Sequence, residues 1–258
     1  MKSLSSYIVI PARLRSTRLE RKLLLADTGK PVIQHTYESA CRAVRAAGIC
    51  VAADDLEIVH QVRSFGGNAQ LTDVNAQSGT DRIVEVAQAM PDVDIFVNVQ
   101  GDEPDVAGES IDRLIGLLTE NPEAQMATLA TPIRTKERLD DPSCVKVVFN
   151  RSGEALYFSR SPIPHVRDWD DRWLTNEPAV FYQHIGLYAY RRDFLLQFAE
   201  LQSSELEQLE KLEQLRVLDA GYRIVVDVIS ESAAGIDTPE DYARFVSEYR
   251  RDQIDRAA

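Results

Sequence analysis

The sequence predicts an α/β protein in which a mostly parallel sheet is covered by helices on both sides. Three observations carry that expectation. The first 120 or so residues alternate strand and helix patterns four times, the rhythm of a parallel sheet with crossover helices. The strand candidates are short runs, apolar on both faces, as buried parallel strands are. One of them, Ile95–Val99, runs into Gly101-Asp102-Glu103-Pro104 and must stop there, because proline cannot donate to a sheet ladder. Two carboxylates are thereby delivered to the carboxyl end of a central strand, the edge where open α/β sheets bind ligands. A carboxylate there can hold Mg²⁺ that also grips phosphate oxygens. The same four residues also make a good solvated turn.

With 258 residues, 44% of them hydrophobic, the chain can build a sizeable core. The formal net charge of −12 argues against a nucleic-acid partner, which needs a basic face. No apolar run reaches the length of a membrane helix. The start, Met1 to Ser6, leads into a strand without a signal-peptide core, so a cytoplasmic protein without membrane insertion is expected. Cys41, Cys50 and Cys144 form no Cys-x-x-Cys pair and read as reduced, buried thiols. The four histidines are isolated, without zinc-like spacing.

Taken in order, Ser6–Ala12 is the first strand. It opens into Arg13–Lys22, where five of ten residues are basic and one is acidic. In an acidic chain this loop fits a triphosphate, held by charge-assisted bonds from Arg13, Arg15, Arg18, Arg21 and Lys22, with Ser16 and Thr17 adding donors. It lacks P-loop spacing, and a basic solvated loop is the alternative. Pro31–Ala47 reads as a helix with Ile33, Tyr37, Ala40, Cys41 and Val44 on one face, ended by Gly48. Ile49–Ala53 is the second strand, Leu56–Phe65 a helix, and Ala69–Thr72 the third strand. Gln77-Ser78-Gly79-Thr80 then precedes a helix over Asp81–Met90. Its free N–H groups suit an anion, and Thr80 suits a cap. After the central strand comes a helix over Glu109–Leu118.

Beyond Pro122 the rhythm changes. Met126–Ile133, Val145–Phe149 and Ala155–Phe158 read as strands, the last two joined by a hairpin turn at Arg151-Ser152-Gly153. Arg167–Pro178 reads as a mobile surface loop. Tyr182–Tyr190 is an aromatic strand whose lone His184 reads as structural on its own residues. Ser204–Ala220 reads as one helix, with a leucine at every third position from Leu206 to Leu218 and with Glu213-Gln214 on a solvated face or aimed into a cleft. Tyr222–Val228 is a late strand. A final helix over Pro239–Tyr249 follows, capped by Thr238, with Asp237 just outside the cap.

Nine segments together resemble one family. They are Ile10–Arg13, Ser16–Leu19, Gln77–Arg82, Val97–Pro104, Met126–Ala130, Ala155–Arg160, His184–Tyr188, Leu212–Leu218 and Gly235–Asp241. In this order they resemble the 3-deoxy-manno-octulosonate (KDO) cytidylyltransferases, the CMP-KDO synthetases of lipopolysaccharide assembly. The resemblance implies a three-layer α/β/α domain of the nucleotidyltransferase type over residues 1–258. The core would comprise about 1–130 and 205–250, with a small β-rich dimerisation extension at about 131–200. It implies Mg²⁺-dependent transfer of CMP from CTP to KDO with release of pyrophosphate, in a homodimer.

Carried over by position, Arg13, Arg18 and Lys22 would hold the triphosphate. Pro11, Ala12, Gln77, Ser78 and Gly79 would seat the nucleotide, and Asp102 and Asp237 would ligand Mg²⁺. Gln100, Arg160, His184, Tyr188, Glu213 and Gln214 would line the sugar site. The chain departs from the family's pattern at three places. Glu20-Arg21 replaces a Pro-Gly before Lys22, Ala76 stands where His is common, and Ala53 stands where Thr is usual. Two rival readings accompany this one. The first is a cytidylyltransferase for another 2-keto-3-deoxy acidic sugar, of sialic acid or amino-KDO type. The second is a relative that binds the nucleotide sugar without catalysis.

Overall fold

The computed structural model describes residues 4–16, 18–76, 78–230 and 233–257. The chain divides into two compact units, one from Ser5–Asp112 with the stretch after Ala233, the other from Arg113 to residue 230. In the first unit, β1 (Ser6–Ala12), β2 (Gly48–Ala53), β3 (Ala69–Leu71) and β4 (Ile95–Asn98) form a parallel array in the order β3-β2-β1-β4. Ile8, Val9 and Ile10 of β1 and Ile95, Phe96 and Val97 of β4 are all buried. Neighbouring side chains on a strand point to opposite faces, so both faces of this array are covered. The α/β reading therefore holds.

Helices α1 (Val32–Ala40), α2 (Leu56–Ser64) and α3 (Gly79–Ala89) connect these strands. Asp55 caps α2 through the Glu57 N–H at 2.8 Å. The cap of α3 is Ser78, not Thr80. Ser78 and Asp81 exchange bonds of 2.9 and 3.2 Å in a capping box, so α3 starts two residues earlier than the periodicity predicts. Helix α1 ends at Ala40, well short of the expected Ala47. The Asp112 carboxylate captures the Val44 and Arg45 N–H groups at 3.0 and 2.7 Å, and Ser6 O takes the Ala47 N–H at 2.8 Å. Val44 is 86% exposed as a result, and Gly48 opens β2 instead of ending a helix. Cys41 is exposed, against the expectation of three buried thiols.

Helix α4 (Gly108–Glu120) leads into the second unit, which holds β5 (Met126–Pro132), α5 (Lys136–Asp140), β6 (Lys146–Phe149), β7 (Ala155–Ser159), β8 (Tyr182–Arg191), α6 (Arg192–Phe198), α7 (Glu205–Glu210), α8 (Gln214–Asp219) and β9 (Ile224–Val228). Strand β5 pairs parallel with β9 and antiparallel with β8, and the β6–β7 hairpin attaches to β8 at Lys146–Gln183. Gly153, in the hairpin turn, has φ +77°, and a Cβ there would lie 3.0 Å from Val226 O. Segment 167–178, expected as a mobile surface loop, carries an inward anchor at Leu174. Leu174 and Phe181 pack with Ile133, Leu139 and Cys144, and Arg134 holds the Leu174 and Asn176 carbonyls at 3.3 and 2.8 Å.

The expected single helix over Ser204–Ala220 is two helices. Lys211 takes the left-handed conformation, φ 54°, and separates α7 from α8. Leu209 is 74% exposed, whereas Leu215 is buried, so the leucine spacing does not form one core stripe. The chain then returns to the first unit through α9 (Pro239–Ala257). Among the described residues, no helix is long and apolar enough to cross a membrane.

Candidate active site

The carboxyl ends of β1 and β4 and the N-terminus of α3 enclose a cavity of about 340 Å³ in the first unit. Pro11, Ala12, Arg13, Ser16, Arg18, Lys22, Ser78, Gly79, Gln100, Asp102 and Asp237 all line it, whereas Arg15 and Arg21, expected to help hold a triphosphate, do not; Thr17 and Gln77 lie outside the described residues. Gly101 makes the floor possible, since a Cβ there would lie 3.1 Å from Pro11 O. Two residues far apart in sequence meet through the backbone. The Ile236 N–H donates to Asp102 O at 2.9 Å and places Asp237 beside Asp102. Asp241 holds that turn by accepting from the Asp237 and Thr238 N–H groups at 3.2 and 3.0 Å. Burial acts to raise the Asp241 carboxyl. Bonds from the Thr238 hydroxyl, Arg244 and the two N–H groups outweigh it and bring the pKa down to about 2.

The Lys22 ammonium, 11% exposed, donates to Asp102 and, at 3.1 Å, to Asp237; Arg18 reaches Asp237 at 3.0 Å. Two carboxylates and two cations thus converge at the mouth of the basic loop. Of the Asp102-Glu103 pair, only Asp102 lines the cavity. Burial, and then the charges of Asp102 and Asp237, push Glu103 up to about 8. Arg82, which the sequence reading left aside, also lines the cavity and is 5% exposed. It donates to Thr72 Oγ1 and Asp73 O at 3.0 and 2.7 Å and pairs with Asp54 at 3.5 Å. Asp54 in turn accepts the Leu14 N–H at 2.8 Å, so this buried pair braces the root of the basic loop.

The second unit carries the other predicted residues. Between β5 and β8 the register shifts, so that Thr128 faces Tyr188 and Leu129 faces Ile185, leaving Gly186 and Leu187 unopposed. In a regular strand the Cα atoms of His184 and Tyr188 would sit about 13 Å apart. Across the bulge their rings lie 5.3 Å apart. His184 is buried, and burial lowers its pKa to about 3. Arg160 is committed to backbone oxygens, donating to Glu210 O at 2.7 Å and Pro142 O at 3.0 Å, while Glu210 accepts its N–H at 2.9 Å. It thereby pins the turn between α7 and α8, next to Glu213 and Gln214. The Gln214 side chain is buried, and its Nε2 has no hydrogen-bond partner among the described residues.

A cytidylyltransferase family model matches residues 7–224. Over 241 residues the chain is 52% identical to the 3-deoxy-manno-octulosonate cytidylyltransferase of Rhodopirellula baltica, covering 93% of this chain and 96% of that one. The chain belongs to the 3-deoxy-manno-octulosonate cytidylyltransferase family. A second relative of that name, from Geobacter metallireducens, is 46% identical over 252 residues, 95% of this chain and 98% of its own length. The solved structure of CMP:2-keto-3-deoxy-manno-octonic acid synthetase complexed with CTP is 40% identical, with a TM-score of 0.89 over 96% of this chain and 99% of that one.

Against the family's pattern, the first loop departs at Glu20-Arg21. The structure shows what the departure does. Arg21 takes the left-handed conformation, φ 52° and ψ 30°, that a glycine would adopt without cost, and a short 3₁₀ turn, Lys22–Leu24, follows it. Lys22 reaches the two aspartates all the same. Arg21→Gly is expected to raise unfolding free energy by about 0.5–1 kcal/mol, since relief of the left-handed arginine exceeds loss of its exposed pairing with Glu57. A shift of the urea midpoint to higher concentration checks this; a shift to lower concentration contradicts it. Among the described residues there is no group of three or more His, Cys, Asp or Glu able to hold a metal. Two hard carboxylates beside a phosphate-sized basic loop nevertheless fit Mg²⁺, which commonly takes one or two carboxylates and fills its other positions with water and substrate oxygens.

Proposed function

We propose that this protein transfers CMP from CTP to the C2 hydroxyl of KDO and releases pyrophosphate, with Mg²⁺ held by Asp102 and Asp237. The reading is supported chiefly by the convergence of Arg13, Arg18, Lys22, Asp102 and Asp237 on one cavity, in a chain 52% identical to a KDO cytidylyltransferase. Bound there, Mg²⁺ would neutralise phosphate charge and acidify the attacking hydroxyl. Arg13, Arg18 and Lys22 hold the triphosphate by charge-assisted bonds, and Lys22 moves from its aspartate contacts toward the phosphates. Pro11, Ala12, Gln77, Ser78 and Gly79 seat the nucleotide, with the N-terminus of α3 offering backbone donors. Gln100, Arg160, His184, Tyr188, Glu213 and Gln214 form the sugar-binding set. The unpartnered Nε2 of Gln214 supplies a donor for a sugar oxygen. Transfer is then a matter of in-line positioning and charge neutralisation, without a dedicated protein base.

A homodimer is part of the same proposal. So is a cytoplasmic location, where CTP is available. Pyrophosphate release with CTP and a panel of 3-deoxy-2-keto acids, with and without Mg²⁺, tests the activity. Release that is fastest with KDO and abolished by chelation is the expected result. Preference for a sialic acid or amino analogue would reassign the sugar, and CTP binding without turnover on any sugar would overturn catalysis.

A further inference from the structure

Thr128 is given no functional role above, yet its hydroxyl is completely buried at the step in the β5–β8 register. Three groups surround its oxygen at 3.0 Å: Ile185 O, Leu187 O and His184 Nε2. A hydroxyl has one proton. If it gave that proton to a bare Nε2, both carbonyl oxygens would face the hydroxyl oxygen with no hydrogen between them. If instead the imidazole donates through Nε2–H, the hydroxyl proton is free for one of the carbonyls, and only the other faces the oxygen without a hydrogen. Burial, which depresses His184 to about 3, keeps the ring neutral at ordinary pH. Nδ1 is then a bare lone pair, able only to accept.

We propose that Thr128 is a positioning residue for the sugar site, holding His184 as the Nε2–H tautomer so that Nδ1 accepts a hydrogen bond from a substrate hydroxyl. The proposal rests on the reading of His184 as a sugar-binding residue. It makes the acceptor a polyol bearing a donor at that position, so an analogue deoxygenated or O-methylated there is rejected. Thr128 also keeps His184 and Tyr188 in contact, because the carbonyls it binds belong to the bulge between them.

Nitrogen-15 NMR of the imidazoles in the intact protein reads the tautomer without any substrate. The four histidines are few enough to resolve, and comparison with His184→Gln assigns the signal. The expected spectrum has a protonated Nε2 and a bare Nδ1 at His184. The reverse pattern overturns the proposal with no variant needed. Thr128→Val should mix the tautomers and raise the sugar KM about tenfold while leaving the CTP KM within about twofold. Thr128→Ser should restore both. An unchanged sugar KM in Thr128→Val, or an equal rise in both KM values, overturns the positioning role. Absence of cytidylyl transfer from the wild type to any acidic sugar defeats the proposed function instead, and leaves the tautomer result standing.

Discussion

Asp102→Asn should lower pyrophosphate release by about a thousandfold or more while leaving the fold intact. The substitution keeps the shape of the side chain and removes its charge. Asp102 is 27% exposed on its side chain and shares the Lys22 ammonium with Asp237, so Lys22 keeps a carboxylate partner when the charge is lost. The stability cost is therefore modest, and circular dichroism with thermal melting should show a folded protein. The half-saturating Mg²⁺ concentration should rise as turnover falls, which separates loss of a metal ligand from loss of a phosphate contact. Pyrophosphate release equal to wild type would refute the assignment. Asp237→Asn should behave alike, with a smaller effect on folding because that side chain is more exposed.

The largest expected stability change belongs to Arg82. Arg82→Met leaves the Asp54 carboxylate, 13% exposed, without its cation, and breaks the bonds to Thr72 and Asp73. Removal of one partner from such a buried pair costs about 3–5 kcal/mol, mostly for the stranded charge. Urea unfolding should show that loss, and Asp54→Asn added to Arg82→Met should recover part of it. A cost below about 1 kcal/mol would show that the pair is not a structural brace. Because Asp54 also holds Leu14 N, the single variant should weaken CTP binding through a loosened basic loop as well.

The sequence discloses this site unevenly, and the reasons are physical. Asp102 is legible because an apolar run and a Gly-Asp-Glu-Pro stop place it at a strand end by local rules alone. The same local rules cannot tell Asp102 from Glu103, since the side chain that faces the cavity depends on the turn. Asp237 stands out as a residue left over beside a helix cap, but its partner is set by a backbone bond from Ile236 across the fold. The end of α1 at Ala40 is set by the remote Asp112 carboxylate, and the break at Lys211 sits in a turn that Arg160 braces, so periodicity runs past both. The bulge at Gly186-Leu187 is harder still. A lone glycine in a strand pattern hints at it, but only pairing with β5 makes His184 and Tyr188 neighbours. Arg82 went unnoticed because its motif reads as a helix start and nothing in it signals burial.

The bond from Ile236 N–H to Asp102 O has a consequence for biogenesis. Domains form from the amino end while the ribosome is still translating. Here Asp102 emerges early and Asp237 late, so a stalled nascent chain that displays the basic loop and the first aspartate holds only half of the proposed Mg²⁺ pair. On that proposal, competence arrives only when translation has delivered the second carboxylate.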